Sequence, residues 1–349
     1  MLSRAIIALL LLLVTTYVVA ADSVTVATGT DNAGRRLLSG TISEFNGREL
    51  RIELTNGQTV SVPTDKVLDY TSTWTAAQQE AEQLVREHKY AAALEAYRRA
   101  VTEEQRPWAR RKLLADVVTC YENHGQIDRA GDAYLLLSKQ DEQGQYADRI
   151  PLAWLSGLTA NDIEAKAKSW LASESSPAAQ LLGASWLLSS PQRAAAVATL
   201  RKLASHTDPR IAHLADAQLW RANIATVGRP ELDAWKPQIE RMPANLRAGP
   251  YLILAKGLTA QEGRELKPDA TTRQAAAWNY LRAPLLFPER HALAAQGLEG
   301  AAAELVKLEQ LDDATRLYDE LAQGYADTQW GENAATQLKI LSKTKRPSR

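Results

Sequence analysis

Five histidines, His88, His124, His206, His213 and His291, are the residues best suited to acid–base or metal chemistry near neutral pH. They lie far apart, with no second histidine or cysteine at metal-ligand spacing, so neither a metal nor another cofactor is expected. The single cysteine, Cys120, excludes an intrachain disulfide and falls at a small position of a helical segment, where a packed, inert thiol is expected. Ser185 sits in Gly-Ala-Ser-Trp-Leu, which lacks the second glycine of a nucleophile elbow, and there is no glycine-rich phosphate loop. The acidic pairs Glu103-Glu104 and Asp312-Asp313 sit at helix starts or turns, where carboxylates favour the helix dipole. Two carboxyl groups that meet only in the fold leave no spacing signal, so glycosidase-type chemistry stays open. Trp154, Trp170 and Trp186 recur every sixteen residues, each followed by leucine, and read as core plugs in preference to a ligand-stacking surface.

The elements that would position such residues are mostly helices. From Ala76 to Asp141 two helical hairpins follow one template. Ala81, Leu84, Tyr90, Ala93, Tyr97 and Ala100 belong to the first; Leu114, Val117, Tyr121, Gly125, Ala130, Tyr134 and Leu137 belong to the second. Ala93 and Ala130, and Tyr97 and Tyr134, are 37 apart, so small and aromatic residues recur together. The pattern returns late in the chain as Ala276, Tyr280, Ala283 and Pro288, then Ala302, Ala314 and Tyr318, with Ala276 and Ala314 separated by 38.

This spacing resembles the tetratricopeptide repeat, a helix–turn–helix unit with small residues at the helix crossing and aromatics between units. It departs from that family where the closing proline comes late, as Pro107. Tyr325 to Trp330 stands where related repeats carry Tyr-Pro-Asp-Ser, with Ala326 in place of the proline. The resemblance implies a mainly α, tetratricopeptide-like solenoid whose hairpins stack to bury their apolar faces and leave a concave surface for a protein or peptide partner. It also implies which groove residues would face that partner: Gln78, Glu82 and Arg86 in one unit, Lys112, Asp116 and Asn123 in the next. Their mixed charge argues against the family's basic clamp for C-terminal carboxylates. The C-terminal part resembles exported tetratricopeptide proteins of the bacterial envelope that assist assembly, wall synthesis or division.

Taken in order, residues 1–21 read as a signal segment: Arg4, an apolar run from Ala5, and a small-residue site at Val18-Val19-Ala20. Export with cleavage near Ala20 or Ala21 is expected; an uncleaved anchor is the alternative, since the run nearly spans a bilayer. No cysteine follows the run, so a lipoprotein anchor is excluded. Residues 22–36 read as a flexible leader that holds at most one short strand. From 37 to 71 the apolar period is two, with Asn46-Gly47 and Asn56-Gly57 turns, which gives a meander of about four strands similar to Sm-like or SH3-like barrels. It has neither an aromatic groove nor a basic stripe, so a structural cap is the reading preferred over peptide or RNA binding.

Residues 72–141 form the repeat pair and 142–250 degenerate helical repeats. Ser176-Pro177, Ser190-Pro191 and Asp208-Pro209 mark helix starts. Pro230, Pro237, Pro243 and Pro250 predict short helices and a hinge over 228–250. Residues 251–343 carry the returning repeats, with GRELKPD as a longer loop, and 344–349 are a basic, solvated tail. Hydrophobic residues at 45% and a formal net charge of zero fit a folded protein with no bulk attraction to nucleic acid. The resulting expectation is a non-catalytic exported scaffold without a stable membrane span after cleavage; the rival is an envelope glycan hydrolase of the lytic-glycosidase type on a superhelical α body.

Overall fold

The structure is a computed structural model that describes residues 21–29, 34–154, 163–262 and 269–344. Residues 1–20 of the expected signal segment, the loop at 263–268 and the tail from 345 lie outside the described residues. The chain divides into two units, one up to Thr75 and one from Ala76 onward.

The first unit is a five-stranded antiparallel sheet: β1 (Asp22–Thr28), β2 (Gly34–Phe45), β3 (Glu49–Leu54), β4 (Thr59–Pro63) and β5 (Val67–Thr71), in the order β4-β3-β2-β1-β5. The segment expected as a leader is an interior strand. Its Val24 and Val26 alternate inward, and β2 is long enough to pair with β1 along its first half and β3 along its second. Val24 pairs with Leu38, and these residues join Ile42, Leu50 and Ile52 in the sheet's buried face. The backbone amide of Ile42 donates to Asp22 Oδ2 at 2.7 Å, next to the point where the β2–β3 register shifts.

The second unit is helical. Its helices are α1 (Ala76–Arg86), α2 (Tyr90–Glu103), α3 (Pro107–Asn123), α4 (Ile127–Ser138), α5 (Glu164–Leu171), α6 (Pro177–Leu187) and α7 (Arg193–Leu203). They are followed by α8 (Pro209–Asn223), α9 (Arg229–Arg241), α10 (Ala248–Glu262), α11 (Ala270–Leu286), α12 (His291–Lys307), α13 (Leu311–Gly324) and α14 (Gln329–Thr344). Within each run, helices pack on their chain neighbours. In addition α4, α6, α8, α10, α12 and α14 touch in that order, and α12 meets α3. The row therefore curls until its late part reaches its early part.

Three hairpins share one turn. Between α1 and α2, α3 and α4, and α12 and α13, the turn residue is left-handed: His88 (φ 56°), Gly125 (φ 73°) and Glu309 (φ 61°). Each turn closes with a six-residue hydrogen bond, Lys89 N to Leu84 O, Gln126 N to Tyr121 O and Gln310 N to Leu305 O, at 2.8 to 2.9 Å. This is the Schellman ending, which satisfies carbonyls the helix leaves open. Ala93, Ala130 and Ala314 each follow the turn residue by five, and Tyr97, Tyr134 and Tyr318 by nine; all six are buried. Gly125, read from sequence as a packing residue, is exposed and serves the turn. Ala81, Tyr90, Ala276, Tyr280, Ala283 and Ala302 are buried, and Tyr121 is half-buried.

The prolines act less sharply than expected. Pro237 lies inside α9 and Pro284 inside α11, so neither ends its helix. The burial of Leu232 and Ile239 and the stacking of Trp235 on Trp220, with ring centres 5.1 Å apart, offset the hydrogen bond Pro237 cannot donate. At helix starts, Ser176 Oγ accepts from Ala179 N and Asp208 Oδ1 from Arg210 N. Ser190-Pro191 instead forms a turn, and α7 begins at Arg193. Among the described residues, no helix is long and apolar enough to cross a membrane.

Candidate functional site

Where the row curls back, three histidine and carboxylate side chains meet that the sequence keeps far apart. His88 stands in the α1–α2 turn, His291 opens α12, and Asp327 lies in the turn between α13 and α14. That last turn is fixed locally: Thr328 Oγ1 accepts from Gly331 N at 3.1 Å and so caps α14, leaving Asp327 just ahead of the helix. α12 is held close to α11 because Gly297 has no side chain; a Cβ there would come within 2.5 Å of the Tyr280 carbonyl oxygen.

The geometry is tight. His88 Nδ1 lies 3.0 Å from Asp327 Oδ2, and His291 Nε2 lies 2.9 Å from Asp327 Oδ1. The Tyr90 hydroxyl donates to Asp327 Oδ2 at 2.6 Å, and Tyr325 stacks on the His291 ring with centres 4.6 Å apart. One donor atom from each of His88, His291 and Asp327 can be chosen so that all lie within 4.8 Å of one another. Burial acts to raise the Asp327 pKa, but the hydrogen bonds from Tyr90 and His291 and the nearby histidines outweigh it and hold the carboxyl below its ordinary range. Burial, with Asp327 adding to it, pushes the Tyr90 phenol well above its ordinary value. Tyr90 therefore stays a neutral donor.

Beside this cluster a buried ion network fastens α12 to α3. Arg290 is 6% exposed; its guanidinium lies 3.6 Å from Glu122 Oε2 and 3.8 Å from Asp148 Oδ2, and donates to the Asp148 carbonyl oxygen. Burial pushes the Glu122 carboxyl upward, while Arg290 and Arg149 pull it down; the burial effect prevails.

His291 and Asp327 form part of the wall of a cavity of about 580 Å³. Its apolar side is made by Trp154, Trp186 and Trp330, its polar side by Glu122, Asn123, Asp128 and Gln296. Gln296 is 5% exposed and its Oε1 is buried without a hydrogen-bond partner among the described residues. An apolar hollow with a few convergent polar groups is the usual form of a ligand pocket.

Of the six residues expected in a partner groove, Asn123 lines this cavity. The others largely engage one another. Gln78 is fully buried, its Nε2 donating to Glu82 Oε1 at 3.0 Å, and Lys112 Nζ reaches Glu82 Oε1 at 3.4 Å and Asp116 Oδ2 at 2.7 Å. Arg86 is exposed and donates to Gln83. Trp154, Trp170 and Trp186 are buried as the core reading expects, yet two of them also face the cavity. Cys120 is buried, its thiol pushed up to about 12 chiefly by burial.

The histidine–carboxylate cluster escaped the spacing argument because its members are separated by 239 and 36 residues along the chain. Only the shared turn pattern around His88, read together with the Tyr325–Trp330 segment, could have placed them at hairpin tips. No family model, curated protein or solved structure matches this chain.

Proposed function

We propose that the protein is an exported, tetratricopeptide-like scaffold of the bacterial envelope that is not an enzyme and grips a segment of a protein partner in the cavity where its helical row closes. One observation carries this reading: the cavity is preformed, walled by Trp154, Trp186 and Trp330, and edged by Asn123, Asp128 and Gln296, which offer the backbone of an extended peptide both donors and acceptors. The repeated turns and the buried alanine–tyrosine pairs support the repeat assignment. A second apolar surface lies on α11, where Trp278 and Leu285, seven residues apart, are 59% and 68% exposed.

The test is site-specific photo-crosslinking in the native envelope, with the crosslinker at Asn123 or at Trp278. Adducts to a protein from Asn123 are expected. Adducts from Trp278 alone would move the partner to the exposed face of α11 and overturn the cavity reading. N-terminal sequencing of the mature protein checks export, with a start near Ala21 or Asp22 expected.

A second reading, an envelope glycan hydrolase, is favoured by Glu122, whose carboxyl burial pushes up as a general acid requires, and by Asp128 in the same tryptophan-walled cavity. Incubation with purified peptidoglycan separates the two. Release of fragments by the native chain and not by Glu122→Gln would establish the hydrolase.

A further inference from the structure

We propose that His88, His291 and Asp327 bind a divalent first-row transition cation of the zinc class, with the remaining coordination position open to the tryptophan-walled cavity.

Ligand type and distance both point there. Two imidazole nitrogens and one carboxylate are a donor set that suits zinc, cobalt or iron and disfavours calcium and magnesium, which take oxygen ligands. Around a tetrahedral zinc with bonds of about 2.0–2.1 Å, neighbouring ligand atoms lie roughly 3.3 Å apart. His88 Nδ1 and His291 Nε2 stand 3.0 and 2.9 Å from the two different oxygens of Asp327, and one donor atom from each of the three residues lies within 4.8 Å of the others, so the ion has to draw the three donors together around itself. The three ligands come from three different elements that the fold has already brought together, so little ordering remains to be done on binding.

The surroundings are those of a metal site. The Tyr90 hydroxyl donates to Asp327 Oδ2 at 2.6 Å and also lies 3.0 Å from His88 Nδ1, so it holds the carboxylate and the imidazole together, the kind of support that orients a ligating group. Tyr325 stacked on His291 fixes the plane of that ring. Three protein ligands leave a position for water or for a group on the cavity's occupant. Gln296, which belongs to the wall of the same cavity, keeps a buried side-chain oxygen without a hydrogen-bond partner among the described residues. The ion would join the α1–α2 turn, the start of α12 and the α13–α14 turn, and so clasp the two ends of the helical row. This inference does not depend on which molecule fills the cavity.

The experiment uses the full mature chain, dialysed against chelator and titrated with zinc and then cobalt chloride. The expected result is one tightly held equivalent, a rise in Tm on zinc addition, and the visible bands of four-coordinate cobalt. Two variants carry the assignment. His88→Gly removes a ligand at a left-handed position that glycine adopts freely, so its fold is safe; Asp327→Asn removes the carboxylate. Both lose the equivalent and the Tm rise, while Tyr90→Phe weakens affinity by about tenfold to a hundredfold, as loss of a supporting hydrogen bond does. The proposal is overturned if the native chain holds no zinc, if either ligand variant holds it as well as the native chain does, or if magnesium competes on equal terms. Crosslinking from Asn123 reads the partner separately, so failure of one reading leaves the other standing.

Discussion

The hairpins α1–α2, α3–α4 and α12–α13 are built from one turn and one alanine–tyrosine pair, whereas α5 to α10 follow no common template and are fixed by large individual side chains. In the repeated hairpins the packing positions are occupied by Ala93, Ala130 and Ala314, all fully buried, so helices can approach closely there. Beyond them, Trp170 of α5 fills the space beside Gly131 of α4, Trp154 lies against Gly249, and Trp220 stacks on Trp235. A repeated frame leaves its turn residue free to vary, and in the first hairpin that residue is His88, which faces Asp327 of the α13–α14 turn. An irregular frame commits its polar groups to holding itself together.

The largest loss is expected where the early and late repeated hairpins meet. Replacing Arg290 by methionine leaves Glu122 and Asp148 partly buried beside one another with no cation between them, apart from Arg149, which faces Asp148 at 3.4 Å. Removing one partner from a buried ionic group costs about 3–5 kcal/mol, and a drop of that order in urea-unfolding free energy is expected. A loss below about 1 kcal/mol would mean that closure rests on apolar contact alone.

Inside the middle region the polar lock is Ser185. Its hydroxyl accepts from Ala153 N at 3.0 Å and meets Gln218 Oε1 at 3.1 Å, while Gln218 Nε2 donates to the Ala153 carbonyl at 3.1 Å and Arg221 to the Ser185 carbonyl at 2.9 Å. This network pins the segment carrying Trp154, and thus one wall of the cavity. Ser185→Ala leaves buried groups unpaired, so a loss of about 1–3 kcal/mol is expected, with a shift in tryptophan emission. The sequence offered Ser185 only as a failed nucleophile; its structural role depends on Gln218 and Ala153, which no local pattern links to it.

Helix caps give a smaller effect. Burial acts to raise the Asp208 pKa, but Arg210, through its side chain and its backbone amide, outweighs it and holds the carboxyl low. A depressed folded-state value means this carboxylate stabilises the fold above the ordinary carboxyl pKa of about 4, and the contribution fades as pH falls through the folded value. Asp208→Ala should cost about 1 kcal/mol at neutral pH and flatten the acid end of the stability profile. A variant whose acid profile overlays the native one would deny Asp208 that role.

What the sequence disclosed follows the same division. Helical hairpins, the alanine–tyrosine repeat and the caps at Ser176 and Asp208 were legible because each is set by residues a few positions apart. The leader became β1 because its alternating valines pair with β2 on one side and β5 on the other, contacts that short-range periodicity does not reveal. Pro237 failed to break α9 because the buried side of that helix holds it in place. The candidate site was the least legible part. His88, His291 and Asp327 lie far apart along the chain; His88 and Asp327 stay exposed, and only the curl of the row brings the three together.

The finest comparison is between two copies of the same turn. His88 and Gly125 share a left-handed backbone and the same closing hydrogen bonds, so exchanging their residue types isolates what each side chain contributes. A side chain in this conformation costs about 1 kcal/mol or slightly more, chiefly by crowding Cβ against the backbone. Gly125→Ala, where the added Cβ meets no neighbour, should therefore lose about that amount from backbone strain alone. His88→Gly should recover a similar amount, less whatever the His88–Asp327 contact supplies in the absence of metal. The difference between the two variants, measured by urea unfolding in chelator and again with zinc, reports that contact and then the ion. In chelator the His88→Gly chain is expected to equal or exceed the native stability. With zinc the native chain should overtake it, since only the native chain gains from binding. If the order stays the same in both conditions, the imidazole at this hairpin tip does no more than hydrogen-bond to Asp327.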